Sequence, residues 1–162
     1  MNLEGILHQL VEEKKFRKLR GILEEMNEVD IAEFIQEVEQ DKVVLVFRLL
    51  PKELGAEVFA CLEIDMQEYI INSMSDYELQ KIIEELYIDD AVDMLEELPA
   101  TVVRRVLANA KPETRALINQ FLQYPDDSAG SIMTAEYIGL KKNMPVEQSF
   151  AYIRRNAVDK ET

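Results

Sequence analysis

From Leu3 to Leu122 the apolar residues recur at helical spacing, but only in bursts of about 8 to 12 residues. Leu3, Ile6, Leu7, Leu10 and Val11 form the first stripe, and Phe16, Leu19, Ile22, Leu23 and Met26 the second. Ile31, Phe34, Ile35 and Val38 follow, then Val43, Val46, Phe47 and Leu50. Helices this short are marginal on their own, so they persist only by stacking on one another. This predicts an all-α architecture. Composition agrees: there is no tryptophan, and five glycines are too few for the frequent turns of a β-sandwich or barrel.

The punctuation between stripes fixes expected helix ends. Asp30 is the expected cap of the third stripe, and Pro51 stops the fourth. Leu54, Val58, Cys61 and Leu62 share a face, which predicts a buried thiol. Ile70, Ile71 and Met74 come next. Ser75-Asp76-Tyr77-Glu78 then reads as a cap with acidic first-turn residues. Asp89-Asp90 open a helix with Ala91, Met94, Leu95 and Leu98 inward, and Pro99 ends it. Val102, Val103, Val106 and Leu107 form another stripe. Pro112 starts a helix expected to bury Ala116, Leu117, Phe121 and Leu122. Residues 30–62 also lie on 90–122 without a gap: Phe34 falls on Met94, Ile35 on Leu95 and Val46 on Val106. A 60-residue period, read as four short helices, fits a curved superhelix of the HEAT or armadillo type.

After Tyr124 the grammar changes. Tyr124-Pro125-Asp126-Asp127-Ser128-Ala129-Gly130 is rich in turn residues. Tyr137 to Leu140 is an expected strand, and Pro145 the expected first residue of a helix with Val146, Phe150 and Ile153 inward. The division is therefore 1–124 for the helical domain, 125–134 for a junction and 135–162 for the β-α start of another domain.

The net charge is −14, and its position matters more than its size. Residues 1–27 are neutral. Residues 28–98 hold 20 Asp/Glu against four Lys/Arg, and residues 99–162 hold seven acids against nine bases. Such a field repels nucleic acid and anionic lipid and attracts cations, although an acidic surface also simply solubilises a chain. The start, Met1-Asn2-Leu3-Glu4-Gly5, has no basic region and no long apolar stretch, so no signal peptide is expected. The longest apolar run is Val43 to Phe47, far short of the roughly 20 residues a membrane span needs. Direct membrane insertion is not expected. Cys61 is the single cysteine, which fits a reducing compartment.

Catalytic constellations are missing. His8 is the only histidine and lies far in sequence from Cys61. No P-loop, GxGxxG, HExxH, CxxC or EF-hand loop occurs, so an enzyme is not expected. Carboxylates remain. Asp89 and Asp93 stand four apart on one helix face, away from Ala91, Met94, Leu95 and Leu98. Such like charges cost a few tenths of a kcal/mol unless a cation sits between them. A hard ion such as Mg²⁺ takes oxygen ligands and keeps several waters. The same acids also serve a helix start through capping and the macrodipole. Glu57, one turn after Glu53 on a polar face, is by itself an ordinary solvated residue.

Leu50-Pro51-Lys52-Glu53-Leu54-Gly55-Ala56-Glu57-Val58 resembles an element of the MgtE family of magnesium channels. So do Ile83-Glu84-Glu85-Leu86, Asp89-Asp90-Ala91-Val92-Asp93-Met94-Leu95 and Leu98-Pro99. Tyr124 through Thr134 is similar to that family's junction between its helical N domain and its first CBS domain. The resemblance implies a right-handed superhelical N domain on the cytoplasmic side of the cell membrane, soluble as a fragment. It implies a first CBS motif begun at 135–162 and a parent chain that supplies the other CBS parts and a homodimeric transmembrane pore. Mg²⁺ between acidic faces of the N and CBS domains would favour the closed pore, with Glu57, Asp89 and Asp93 as the N-domain metal ligands. No nucleotide site is completed within 135–162. A competing reading comes from the flagellar switch protein FliG, whose helical repeats look related: an acidic scaffold that docks a basic protein, with no metal role.

Overall fold

The structure is a computed structural model that describes residues 3–125, 127–157, 160 and 162. Among them lie eleven helices and no strand. The helices are α1 (Leu3–Glu12), α2 (Phe16–Leu23), α3 (Glu28–Glu37), α4 (Gln40–Phe47), α5 (Lys52–Ala60), α6 (Ile64–Ser73), α7 (Asp76–Ile83), α8 (Ile88–Glu97), α9 (Ala100–Asn109), α10 (Pro112–Phe121) and α11 (Val146–Asn156).

From α2 to α10 every helix begins 12 residues after the one before it. The 60-residue similarity is therefore five 12-residue units, not four helices. The unit explains the core. Phe34, Val46, Val58, Ile70, Ile82, Met94, Val106 and Ile118 occupy one position of successive units, and all are buried. Ile35, Phe47, Phe59, Ile71, Ile83 and Leu95 fill the next position and are buried too. These adjacent residues cover a helix flank wide enough to meet two neighbours. Accordingly α3 packs on α5, α5 on α7 and α8, α7 on α9, α8 on α10, and α6 on α9. Besides the adjacent pairs α1–α2 and α3–α4, the helices meet those two or three places along, which is how a superhelical stack closes.

Gln67 is the exception in this core. It is buried, and its amide donates to the Phe59 carbonyl oxygen at 2.9 Å. The bond supplies the partner a buried amide needs.

Several expected details differ. Asn27, not Asp30, caps α3, its side chain accepting from the Val29 N–H. Asp30 lies inside the first turn instead. Ile118 rather than Leu117 faces the core of α10 because the 12-residue register places it there. Cys61 is exposed; it is the C-cap of α5, and the 12-residue register sets it at the position of Glu37 and Glu97, which also face solvent. Tyr137–Leu140 is not a strand, although the Ile138 N–H donates to the Thr162 carbonyl at 2.7 Å and the Thr162 N–H to Glu136 at 3.2 Å. Pro145 precedes α11 as its N-cap rather than opening it. That helix buries no residue, with Val146 and Phe150 open to solvent, because no described residue covers the face expected to point inward.

Ion pairs tie units two or three places apart. Arg48 holds Glu78 through two bonds of 2.7 and 3.2 Å. Lys52 reaches Glu85 at 2.6 Å, Lys111 reaches Glu84 at 2.8 Å, and Lys42 bridges to Glu12. Glu78 also closes the Ser75 capping box, as the sequence predicts. The Arg48 guanidinium first, then the Ser75 N–H and hydroxyl, hold its carboxyl down at about 2. A carboxyl whose folded pKa lies below its usual 4.5 stabilises the fold above that value. The contribution fades as pH falls from about 4.5 towards 2. Glu78→Gln is expected to lose about 1 kcal/mol at neutral pH, after allowing for solvent screening of this partly exposed group. In urea titrations the gap between the two proteins should shrink below pH 4.5; a gap that is constant with pH sinks the assignment.

Candidate cation-binding face

Helices α3, α5 and α8 form a contiguous set, since α5 packs on both of the others. Glu57 lies on α5, and Asp89 and Asp93 on α8. Glu57 and Asp93 stand 36 residues apart, three units of the 12-residue register, and so occupy the same position on their helices. Both are exposed. Neither has an ion-pair partner among the described residues. Asp89, expected to face outward, is instead half-buried, with its Oδ1 shielded from solvent. Its place in the first turn of α8 tucks it against the stack.

Cys61 reports the field of this face. Its thiol pKa is raised by burial first and then by the charges of Glu28, Asp90 and Glu57. These acids come from α3, α8 and α5, so the three helices bring negative charge to one place. Glu28 and Asp90 are absent from the set chosen by sequence. The available signal was their position in the first helical turn after Asn27 and Tyr87, where acids concentrate.

The few bases of the acidic segment are engaged elsewhere. Lys42 pairs with Glu12 and Glu39, Arg48 with Glu78, and Lys52 with Glu53 and Glu85. Lys81 sits over the Tyr77 ring, 5.5 Å from its centre. The surplus of acids in 28–98 is thus not compensated by the segment's own cations. Glu57, Asp89 and Asp93 do not close into a three-ligand cage. Among the described residues the one such group is Glu4, His8 and Glu37, on α1 and the end of α3. The α5–α8 face offers carboxylate oxygens of a kind that suits a hydrated Mg²⁺, which needs only one or two of them.

The pattern of the MgtE intracellular N domain matches residues 26–127, which contain the whole acidic segment and all three acids. The chain belongs to the MgtE N-domain family. The magnesium transporter MgtE of Thermus thermophilus is 34% identical over 160 residues, covering 96% of this chain and 35% of that protein. The magnesium transporter MgtE of Bacillus subtilis is 20% identical over 145 residues, covering 90% of this chain and 32% of that protein. The chain therefore spans about a third of the length of these MgtE relatives.

Solved structures agree on the fold. The cytosolic domain of the Mg²⁺ channel MgtE, crystallised in complex with ATP, superimposes with a TM-score of 0.83 at 34% identity. The match covers 99% of this chain and 66% of that one. The soluble part of a magnesium transporter superimposes with a TM-score of 0.85 at 23% identity, over 98% and 63% of the two chains. No helix among the described residues is long and apolar enough to cross a membrane.

Proposed function

We propose that this MgtE N domain is one jaw of a Mg²⁺ sensor that closes the pore of its parent channel from the cytoplasmic side. The observation that carries the reading is the acidic face on α3, α5 and α8, with Glu57 and Asp93 exposed at one register position, inside the segment that matches the family. Residues 1–124 serve as the jaw, 125–134 as the junction and 135–162 as the start of the first CBS motif. The CBS and pore domains of the same chain, paired as a homodimer, complete the machine. The open apolar face of α11 is then covered by the rest of the CBS unit. No chemistry is performed on a substrate.

The physics is a change of sign. Without metal, an acidic jaw and an acidic CBS partner repel and separate. Ions bridging Glu57, Asp89 and Asp93 to that partner turn repulsion into attraction. The ion shifts the population because it binds the closed arrangement better than the open one. This chain alone holds only half the ligands and is expected to bind Mg²⁺ loosely.

The test uses the full-length parent carrying Glu57→Gln, Asp89→Asn and Asp93→Asn together. Channel conductance is recorded against cytosolic Mg²⁺. The expected result is a pore that stays open at Mg²⁺ concentrations that close the unaltered channel. Unchanged inhibition removes these residues as sensor ligands. Tight stoichiometric Mg²⁺ binding by residues 1–162 alone contradicts a shared site.

A further inference from the structure

A second set of metal-ligating groups, distinct from Glu57, Asp89 and Asp93, lies between α1 and the C-terminal end of α3. Glu4 and His8 stand four residues apart on α1, so both project from one side of that helix. Glu37 is the last residue of α3. One ligand atom from each of the three lies within 4.8 Å of the other two.

The spacing is informative. His8 Nε2 and Glu37 Oε2 are 3.6 Å apart, longer than a hydrogen bond. Two ligands of one tetrahedral ion, each bonded at about 2.0–2.1 Å, sit about 3.3 Å from each other. The pair therefore needs an adjustment of only a few tenths of an ångström, well within the reach of the exposed Glu37 side chain, to share an ion.

The imidazole is held in place. Its ring meets the buried Phe34 edge-on, with centres 5.1 Å apart at 69°. The adjoining cleft, about 210 Å³, is lined by Glu4, Asp30, Glu33 and Glu37 over Leu7 and Phe34. No base lines it, so its field favours a cation.

The donor set selects the ion. One nitrogen and two carboxylate oxygens suit a borderline transition ion better than Mg²⁺, which prefers oxygen alone. We propose that Glu4, His8 and Glu37 bind one divalent transition ion of the Zn²⁺ type, joining α1 to α3. Water completes the coordination. This site is independent of the Mg²⁺-sensing face and stands whether or not that reading does.

The test exploits the fact that His8 is the only histidine. Residues 1–162 are titrated with Co²⁺ and with Zn²⁺ in millimolar Mg²⁺, following the imidazole proton resonances and the visible Co²⁺ spectrum. The expected result is one Co²⁺ per chain, paramagnetic shift of the single imidazole, displacement by Zn²⁺ and a higher melting temperature with Zn²⁺. His8→Gln and Glu37→Gln should each weaken binding roughly tenfold or more, since each removes one of three ligands. The double variant Glu57→Gln, Asp93→Asn should leave Co²⁺ binding unchanged. An imidazole untouched by Co²⁺ overturns the proposal. So does binding that survives His8→Gln, or binding that is lost in the double variant. The imidazole readout is made on the unaltered chain, so it decides the matter even where a variant fails to fold.

Discussion

Phe59→Ala is expected to cost about 3–5 kcal/mol of folding stability, the largest loss of any single side chain in the stack. Phe59 is only 2% exposed. Its ring meets Phe47 edge-on, with centres 6.1 Å apart at 67°. It sits on α5, which packs on α3, α7 and α8 together. Truncation leaves a void between helices whose positions are fixed by other neighbours, so the site cannot collapse to fill it. A domain of this size has about 5–15 kcal/mol in all; the change removes a large part of that. The urea midpoint should fall sharply, whereas Tyr77→Ala, at a residue 69% exposed, should move stability by no more than about 0.5 kcal/mol. A Phe59→Ala loss below about 1 kcal/mol would show that the units relax independently. Because α5 also carries Glu57, the variant should weaken any Mg²⁺ response of the parent as well.

That sensitivity follows from a regularity the sequence displays plainly. The 12-residue unit is visible as aligned apolar residues from Phe34 to Ile118. A comparison made at 60 residues finds the repeat but not its unit, because any multiple of 12 brings the same positions together. The helices α1 to α10 were legible because each buries a stripe against its neighbours. The last segment was not: Val146, Phe150 and Ile153 carry the spacing of a buried face, yet periodicity does not say whether a partner surface is present. Cys61 misled for a related reason. It follows the apolar spacing of α5, but the 12-residue unit puts it level with Glu37 and Glu97, on the outward side of the stack.

The candidate face was legible in part. Charge placement located the acidic segment, and helical spacing put Asp89 and Asp93 on one face, about one turn apart. Glu57 and Asp93 share a register position that only the 12-residue unit explains. The contributions of Glu28 and Asp90 depend on α3 and α8 both flanking α5, which is a tertiary fact. The Glu4–His8–Glu37 group was equally hidden, since Glu37 lies 29 residues after His8 and two helices along the chain.

Gly130→Ala is the second large effect expected, and it concerns the junction. A Cβ at Gly130 would lie 2.5 Å from both Cγ and Cδ1 of Tyr124. Cγ is the root of the ring and is not free to swing aside. The ring is itself set edge-on against Phe121, with centres 5.7 Å apart at 82°, and Phe121 is buried at the end of α10. Bonds from the Ser131 N–H to the Ser128 carbonyl at 3.2 Å, and from the Ser131 hydroxyl to the same oxygen at 2.9 Å, keep the turn closed over Tyr124. The added methyl must therefore drive the ring off Phe121 or open the turn, at a cost of about 1–3 kcal/mol. Hydrogen exchange should show the loss concentrated in residues 124–131, with the core of α5 to α8 little affected. Gly21→Ala is the matched control: nothing lies within 4 Å of its added Cβ in α2. Alanine there should stabilise the helix by about 0.5–1 kcal/mol. The same methyl thus has opposite signs at the two positions. If both substitutions stabilise, Tyr124 does not pack under the junction as described, and the turn is not what couples the helical stack to the segment beyond it.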